Sequence, residues 1–100
     1  MDYTFLNENK IVPVVVIKNL QDTLPTLEAL SRGGIKVAEI TFRTECAKDA
    51  IELASKTCKD MLIGAGTVIN AQQCEQAIGA GAKFVVSPGF SADVLAVCNK

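Results

Sequence analysis

The feature that most constrains this fold is an alternation of short, apolar, β-branched runs with helix-like segments. Four runs have strand character, at residues 11–17, 37–42, 61–68 and 84–87. Apolar residues at helical spacing fill the intervals, in stripes that begin at Leu24, Ala47, Ala71 and Ala92. Strands that alternate with helices over short connections predict parallel βα units with right-handed crossovers. The predicted fold class is therefore α/β.

Residues that favour helix ends lie at the edges of these stripes. Gly33 and Gly34 follow the first stripe, where the end of a helix favours glycine. Thr44, Asn70 and Ser91 precede the later three stripes and are predicted N-caps. A further short helix is predicted over residues 4–9, before the first strand.

The number of units predicts how the sheet is closed. Residues 34–39 and 81–86 are similar, each with a glycine, a lysine and a buried run, which suggests repeated βα units. A complete (β/α)8 barrel needs about 200–250 residues and eight units. Four units over residues 1–100 are compatible with one (β/α)4 half-barrel, the first half of a (β/α)8 TIM barrel. An open four-stranded layer and two copies that close on each other are the alternatives, because the outer strands would otherwise have unpaired edges.

The first run, residues 11–17, is apolar almost throughout, which is typical of a strand covered on both faces.

The formal net charge of −1 gives no reason to expect nucleic acid or an anionic membrane as a partner. No apolar stretch is long enough for a transmembrane helix. The first ten residues lack the basic start and apolar segment of a signal peptide, so a cytoplasmic protein is expected.

The cysteines and the absence of histidine limit the chemistry. Cys46, Cys58, Cys74 and Cys98 form no Cys-x-x-Cys pair, and the sequence contains no histidine. A zinc site and a disulfide framework are therefore not expected, and the cysteines are predicted to be buried or half-buried free thiols on helices. Proton transfer would depend on carboxylates, lysines, the single tyrosine or water.

A polar face on the second strand is the first candidate site. Glu39, Thr41 and Arg43 occupy alternate positions and therefore share one face. Burial at Glu39 should raise its pKa toward a range useful for acid–base catalysis. Arg43 suits a carboxylate or phosphate. The alternatives are an ion pair between Glu39 and Arg43, and a surface arginine paired with an acidic neighbour, Glu45 or Asp49.

Two more candidates lie where the third and fourth strands end, at the edge where sites form in parallel sheets. Residues 64–68 read GAGTV, and Ile69 rules out a dinucleotide-binding fingerprint. Thr67 could hydrogen-bond an anion or cap a helix. Ser87 and Pro88 either line the site or form a plain turn. Lys18 is the lysine predicted nearest this edge, and we expect it to be solvated.

Taken together, these segments resemble the N-terminal half of the 2-keto-3-deoxy-6-phosphogluconate (KDPG) aldolases, also called 4-hydroxy-2-oxoglutarate (KHG) aldolases. The matching stretches are residues 12–17 (VPVVVI), 33–47 (GGIKVAEITFRTECA), 64–68 (GAGTV) and 84–89 (FVVSPG). The resemblance implies a (β/α)8 barrel that commonly forms homotrimers. It also implies a metal-independent class I aldolase, which uses a Schiff base, needs no cofactor and acts on a small keto acid.

The resemblance also implies roles for individual residues. Glu39 would be the general acid/base, and Arg43 and Thr67 would bind the substrate carboxylate. Pro88, with Ser87 beside it, would line the pocket. The products would be pyruvate and either glyceraldehyde 3-phosphate or glyoxylate.

One part of the family's site has no counterpart in these 100 residues. The Schiff-base lysine and the phosphate-binding glycines of the family lie on later strands and loops. The chain by itself is therefore expected to be inactive. The alternative is a non-catalytic half-barrel that pairs with itself and keeps an anion pocket at Arg43 and Thr67.

Overall fold

A parallel sheet of three strands, in the order β1-β2-β3, forms the centre of the chain. The structure is a computed structural model that describes residues 11–89 and 91–99. The strands are β1 (Val14–Val15), β2 (Val37–Thr41) and β3 (Leu62–Gly66). Glu39 lies opposite Val14 on one side and opposite Gly64 on the other. The parallel pairing confirms the predicted α/β class.

In the described part of the chain, four helices connect or follow these strands. They are α1 (Thr23–Arg32), α2 (Ala47–Thr57), α3 (Ala71–Gly79) and α4 (Ala92–Cys98), and a 3-10 turn at Leu20–Asp22 precedes α1. After α1, Gly34 adopts a φ of 90°, a left-handed conformation that glycine reaches without strain. The predicted end of this helix is therefore confirmed.

Two of the three predicted N-caps are confirmed. The Asn70 side chain accepts a hydrogen bond from the Gln73 amide at the start of α3, and Ser91 does the same for Val94 in α4. The prediction for Thr44 is wrong, because α2 begins after Cys46 and has no side-chain cap. The Thr44 hydroxyl instead donates to the Ile17 carbonyl, 2.6 Å away.

The predicted fourth strand is present only as a short pairing with β3. Val85 forms an isolated parallel bridge with Ala65. The Ala65 amide donates to the Phe84 carbonyl at 3.0 Å, and the Val86 amide donates to the Ala65 carbonyl at 2.8 Å. Residues 83–86, here called the fourth segment, therefore continue the sheet beyond β3.

The core lies between the sheet and its helices. Fully or almost fully buried side chains from the sheet pack against those from α1, α2 and α3; the set includes Ala38, Ile40, Ile63, Ala65, Leu27, Ala50, Ile51, Ala54, Cys74 and Ala77. On the sheet, these residues alternate with residues of the opposite face. The helices therefore cover one face of the sheet.

The prediction that the first strand is covered on both faces is wrong for the described residues. Val15 and Ile17 are buried against the helices, but Val14 is 57% exposed and Val16 is 42% exposed. Among the described residues, β1 pairs with β2, and its strand geometry is limited to Val14 and Val15. The predicted helix over residues 4–9 lies outside the described residues. Within those residues, no helix is long and apolar enough to cross a membrane.

Candidate active site

The sheet face that the helices leave uncovered carries the candidate site. We call it the open face, and strand register places the following residues on it: Val14, Glu39, Thr41, Gly64 and Gly66. Glu39 is half-buried, and it is the acidic residue among these five. The predicted polar face of β2 therefore lies on the side of the sheet away from the helices.

The Glu39 carboxyl group lies over the backbone of β3. A Cβ atom built on Gly66 would collide with the carboxyl group of Glu39. The side chain fits there because residue 66 is glycine. Burial raises the pKa of Glu39 above its usual value, and the nearby Arg43 charge partly opposes that rise. The predicted rise in pKa is confirmed, and burial is its larger cause.

Arg43 lies in the turn directly after β2 and is exposed. The ion pairs among the described residues are Lys36–Asp60 and Lys56–Glu52. The structure therefore does not form the alternative ion pairs considered for Arg43 with Glu39, Glu45 or Asp49. Arg43 acts on Glu39 through its charge, and its guanidinium keeps donors available for an anion.

Thr67 lies at the end of β3 in an unusual backbone conformation. Its φ is 55°, in the left-handed region, which a β-branched residue rarely occupies. Next to it, the Gly66 carbonyl accepts a hydrogen bond of 2.8 Å from the Phe42 amide. That bond joins the end of β3 to the end of β2. Such strained positions concentrate at functional sites, so Thr67 is a site candidate on geometry as well as on sequence.

The fourth segment carries the remaining predicted residues to the same edge. The Val68 amide donates to the Val86 carbonyl at 3.2 Å, which holds the end of this segment beside the end of β3. Ser87 follows at once and is half-buried, while Pro88 is exposed in the next turn. Glu39, Arg43, Thr67 and Ser87 therefore all lie at or near the carboxyl-terminal edge of the sheet.

Phe84 is a residue of this face that the sequence analysis did not single out. A Cβ atom on Gly64 would collide with the Phe84 ring, and Phe84 is buried. The ring covers Gly64 in the same way that the Glu39 carboxyl group covers Gly66. The signal in the sequence was the pair of glycines two residues apart in β3, since glycine in a strand marks a close approach by another group.

Thr44 and Cys46 fix the loop between β2 and α2. Both donate to the carbonyl of Ile17, Thr44 Oγ1 at 2.6 Å and Cys46 Sγ at 3.0 Å. This carbonyl lies just after β1, so the loop that begins at Arg43 is tied to the neighbouring strand. The sequence analysis assigned Thr44 to a cap and missed this contact.

Thr41 is completely buried, and its hydroxyl has no hydrogen-bond partner among the described residues. It lies on the same face as Glu39, but the structure gives it no contact that would assign it a chemical role.

No group of three or more metal-ligating side chains occurs within residues 11–89 and 91–99.

Three lysines of the described part differ in their surroundings. Lys36 bonds Asp60 at 3.2 Å and Ser31 Oγ at 2.6 Å, at the amino-terminal edge of the sheet. Lys56 pairs with Glu52 on α2. Lys18 is exposed and follows the β1 region, so it is the described lysine closest in sequence to the carboxyl-terminal edge.

A cavity of about 670 Å³ lies elsewhere, on the helix side of the sheet. Its lining includes Ser55, Lys59, Met61 and Gly81, from the ends of α2 and α3. Neither Glu39 nor Thr67 borders this cavity.

Comparison with known proteins shows which family this chain is similar to. A family model described as KDPG and KHG aldolase matches residues 3–100. The 2-dehydro-3-deoxy-phosphogluconate aldolase of Treponema pallidum is 46% identical over 93 residues, which are 93% of this chain and 44% of that protein. The KHG/KDPG aldolase of Escherichia coli K12 is 44% identical over 92 residues, 92% of this chain and 43% of that protein.

A solved structure gives the same result. The KDPG aldolase of Legionella pneumophila, with pyruvate captured as a covalent carbinolamine intermediate, superposes with a TM-score of 0.84 at 49% identity. The superposition covers 89% of this chain and 43% of that one. The chain thus spans less than half the length of these relatives and has the fold of part of a (β/α)8 barrel. On the family match and these likenesses, the chain belongs to the KDPG and KHG aldolase family.

Proposed function

We propose that this chain carries the acid–base and carboxylate-binding part of a class I aldolase site. The reaction is cleavage of 2-keto-3-deoxy-6-phosphogluconate or 4-hydroxy-2-oxoglutarate to pyruvate and an aldehyde. One observation carries the proposal: a half-buried glutamate with a raised pKa lies on the open face of a chain from this family. Arg43 and Thr67 follow the adjacent strands at the same edge.

Glu39 is proposed as the general acid/base. Burial raises the pKa of Glu39, so its protonated form is more favoured than that of a solvated glutamate. A group with both forms accessible can donate a proton while the Schiff base forms and accept the substrate hydroxyl proton when the C–C bond breaks. The exposed side of the carboxyl group lets water carry these protons.

Arg43 and Thr67 are proposed to bind the carboxylate of the keto acid. Arg43 has donors that no described carboxylate takes up, and a planar guanidinium binds a carboxylate with two parallel hydrogen bonds. The strained backbone of Thr67 sets the direction of its hydroxyl at the end of β3. Ser87 and Pro88 are proposed to line the same pocket from the fourth segment. The pyruvate captured in the Legionella aldolase supports pyruvate as the shared product.

The lysine that forms the Schiff base is proposed to lie outside these 100 residues. Lys36 and Lys56 are engaged in ion pairs away from the open face, and Lys18 is exposed. A Schiff-base lysine is best placed where burial disfavours its charged form. We therefore expect the 100-residue chain by itself to have negligible aldolase activity.

Trapping of the Schiff base tests this assignment. The 100-residue chain is incubated with pyruvate and sodium borohydride, and its intact mass is measured; we expect no adduct. A pyruvyl adduct on Lys18 or on another lysine of the chain would show that the covalent residue had been wrongly excluded. The active aldolase from Escherichia coli, treated in parallel, is the positive control.

Membership of the same family supports two further proposals, on the domain and on the assembly. We propose that residues 1–100 act as one half-barrel of a cytoplasmic, homotrimeric enzyme that needs no cofactor. The intact mass of the protein from its native source tests the first part, with about twice the mass of this chain expected from the length of its relatives. Light scattering of that protein should give three times its chain mass.

The exposed valines of the open face favour a second candidate function. Val14, Val16 and Val86 are between 41% and 57% exposed, which leaves apolar surface next to Arg43 and Thr67. Two copies of the 100-residue chain that cover each other's open faces would bury this surface and leave an anion pocket without catalysis. Light scattering of the 100-residue chain distinguishes the candidates, because a stable monomer at low concentration contradicts self-pairing.

A further inference from the structure

Two cysteines that the proposed reaction does not use lie in contact. Cys74 is on α3 and Cys98 is the last residue of α4, and their Sγ atoms are 3.4 Å apart. The other two thiols have different surroundings. Cys46 donates to the Ile17 carbonyl, and Cys58 is buried at the end of α2. Of the four cysteines, this pair alone brings two sulfur atoms together within the described residues.

The two thiols differ in exposure. Cys74 is fully buried, and its thiol also lies 3.8 Å from the Val94 carbonyl, whereas Cys98 is exposed. Burial, reinforced by the hydrogen bond with Cys98, raises the pKa of Cys74 to about 11. Cys98 is therefore the sulfur that a dissolved oxidant reaches first, and Cys74 is the sulfur placed to react with it next.

We propose that Cys74 and Cys98 form a reversible disulfide, so that this helix pair is a site of oxidative modification. The oxidant is a hydroperoxide such as hydrogen peroxide. The Cys98 thiolate attacks one peroxide oxygen, the O–O bond breaks, hydroxide leaves, and Cys98 becomes a sulfenic acid. Cys74 sulfur then attacks the sulfur of Cys98. Water leaves with the thiol proton, and the S–S bond replaces the S–O bond.

The geometry requires only a small change. A disulfide bond is about 2.05 Å long, so the two sulfur atoms must approach each other by a little over an ångström. The exposed side chain at the end of α4 can supply that movement by rotation about χ1, because Cys98 is not packed in the core. A low-molecular-weight thiol reduces the disulfide again by thiol–disulfide exchange.

The bond would restrict the part of the chain that follows β3. The segment enclosed between Cys74 and Cys98 contains the fourth segment and the turn with Ser87 and Pro88. Closing this loop fixes α4 against α3 and lowers the entropy of the unfolded chain. Oxidation should therefore raise the thermal midpoint of unfolding, and the disulfide would be a sensor or protective modification rather than part of a structural framework.

Peptide mapping gives a direct test, because trypsin separates all four cysteines. Cys74 lies in residues 60–83 and Cys98 in residues 84–100, while Cys46 and Cys58 fall in residues 44–48 and 57–59. The protein is treated with a small excess of hydrogen peroxide, remaining thiols are alkylated, and the digest is analysed by mass spectrometry without reduction. We expect the intact mass to fall by two hydrogen atoms and residues 60–83 to be linked to residues 84–100.

Matched variants complete the experiment. Cys98→Ser changes an exposed side chain and should abolish the link and the rise in thermal midpoint. Cys46→Ser keeps a donor for the Ile17 carbonyl. This variant should still form the link and show the rise in thermal midpoint on oxidation. A link that involves Cys46 or Cys58, a link between two chains, or a Cys98 sulfenic acid that persists beside a free Cys74 would each overturn the proposal. None of these results depends on aldolase activity.

Discussion

The two faces of the sheet differ in what they bury, although the same strands form both. On the helix-covered face, Ala38, Ile40 and Ala65 are fully buried. On the open face, Val14 is 57% exposed, and the space over Gly66 is occupied by the carboxyl group of Glu39. Alternation along β2 alone places Ile40 on one face and Glu39 on the other. Residues on the first face therefore stabilise the fold, and the second face leaves the half-buried Glu39 carboxyl group in reach of solvent.

The open face also carries features that oppose stability. Burial of an Ile or Val side chain stabilises a protein by about 1.5–3 kcal/mol, which the helix-covered face gains at several positions. The open face contains a half-buried carboxylate whose ionised form is disfavoured by burial. At the edge of this face, Thr67 follows β3 in a strained backbone conformation. Both features cost stability, as is common where residues are positioned for function.

The largest effect is expected from Glu39→Gln in the active enzyme. Glutamine keeps the shape of the side chain but cannot transfer a proton, so kcat should fall by about 10²–10⁴-fold. Thermal unfolding should show the variant at least as stable as the parent, because the cost of burying a charge is removed. Glu75→Gln, on the exposed face of α3, is the matched control and should keep full activity. Unchanged turnover in Glu39→Gln would refute the acid–base role.

Truncation on the helix-covered face should affect stability rather than chemistry. Ile40→Ala removes a fully buried side chain from β2, so we expect a loss of about 2–5 kcal/mol in the free energy of unfolding. Val14→Ala, on the open face, should change it by less than about 0.5 kcal/mol. Urea unfolding of the 100-residue chain measures both. Similar losses for the two variants would mean that the open face is covered in solution, as self-pairing requires.

Gly66→Ala tests the contact between the strands on the open face. The added methyl group would occupy the position of the Glu39 carboxyl group and displace it. We expect kcat in the active enzyme to fall by about 10-fold or more, since small displacements of catalytic groups are costly. Gly79→Ala is the control, because nothing lies within 4 Å of its added Cβ and helix propensity improves there. Equal activity in both variants would contradict the assigned position of Glu39.

The smallest effect is a pH dependence of stability that separates the two faces. The folded-state pKa of Glu39 lies above its usual value, so its favourable contribution is present at low pH and is lost as pH rises through the folded pKa. The stability of Glu39→Gln relative to the parent should therefore increase between about pH 4 and about pH 7. The pKa of Asp60 is lowered, so its contribution to stability changes with pH in the opposite direction. Asp60 is present in both proteins, and its contribution therefore cancels in the comparison.

Urea midpoints at the two pH values provide the measurement. A difference between the proteins that stays constant with pH would mean that the pKa of Glu39 is the same in the folded and unfolded states. In that case the open face would be as well hydrated as the unfolded chain.

Much of the fold was predictable because its signals are local. The end of α1 at Gly33 and Gly34 and the caps at Asn70 and Ser91 depend on residues close in sequence, and these predictions are confirmed. Thr44 was wrongly predicted as a cap because its hydroxyl bonds the carbonyl of Ile17, a partner distant in sequence. The first and fourth strands are shorter than predicted, since a strand at a sheet edge has a partner on one side only.

In the candidate site too, features set by neighbouring residues were predictable, and contacts between separate elements were not. The placement of Glu39 on a polar strand face and the rise in its pKa were predictable from alternation and burial. The position of its carboxyl group over Gly66, the Phe84 ring over Gly64 and the contact between Cys74 and Cys98 were not, because each joins separate elements. Glycine spacing in β3 indicated a close approach without identifying the groups that make it.

The sequence by itself determined the βα order, the parallel class, the family and the shared face of Glu39 and Thr41, because periodicity and motif spacing are properties of neighbouring residues. The tertiary structure decided which face the helices cover, and therefore which side chains are left for chemistry. It also decided that Arg43 stays outside the ion pairs of the described residues and that two cysteines from different helices touch. These outcomes depend on distances between segments far apart in the chain, which only the packing of helices on the sheet determines.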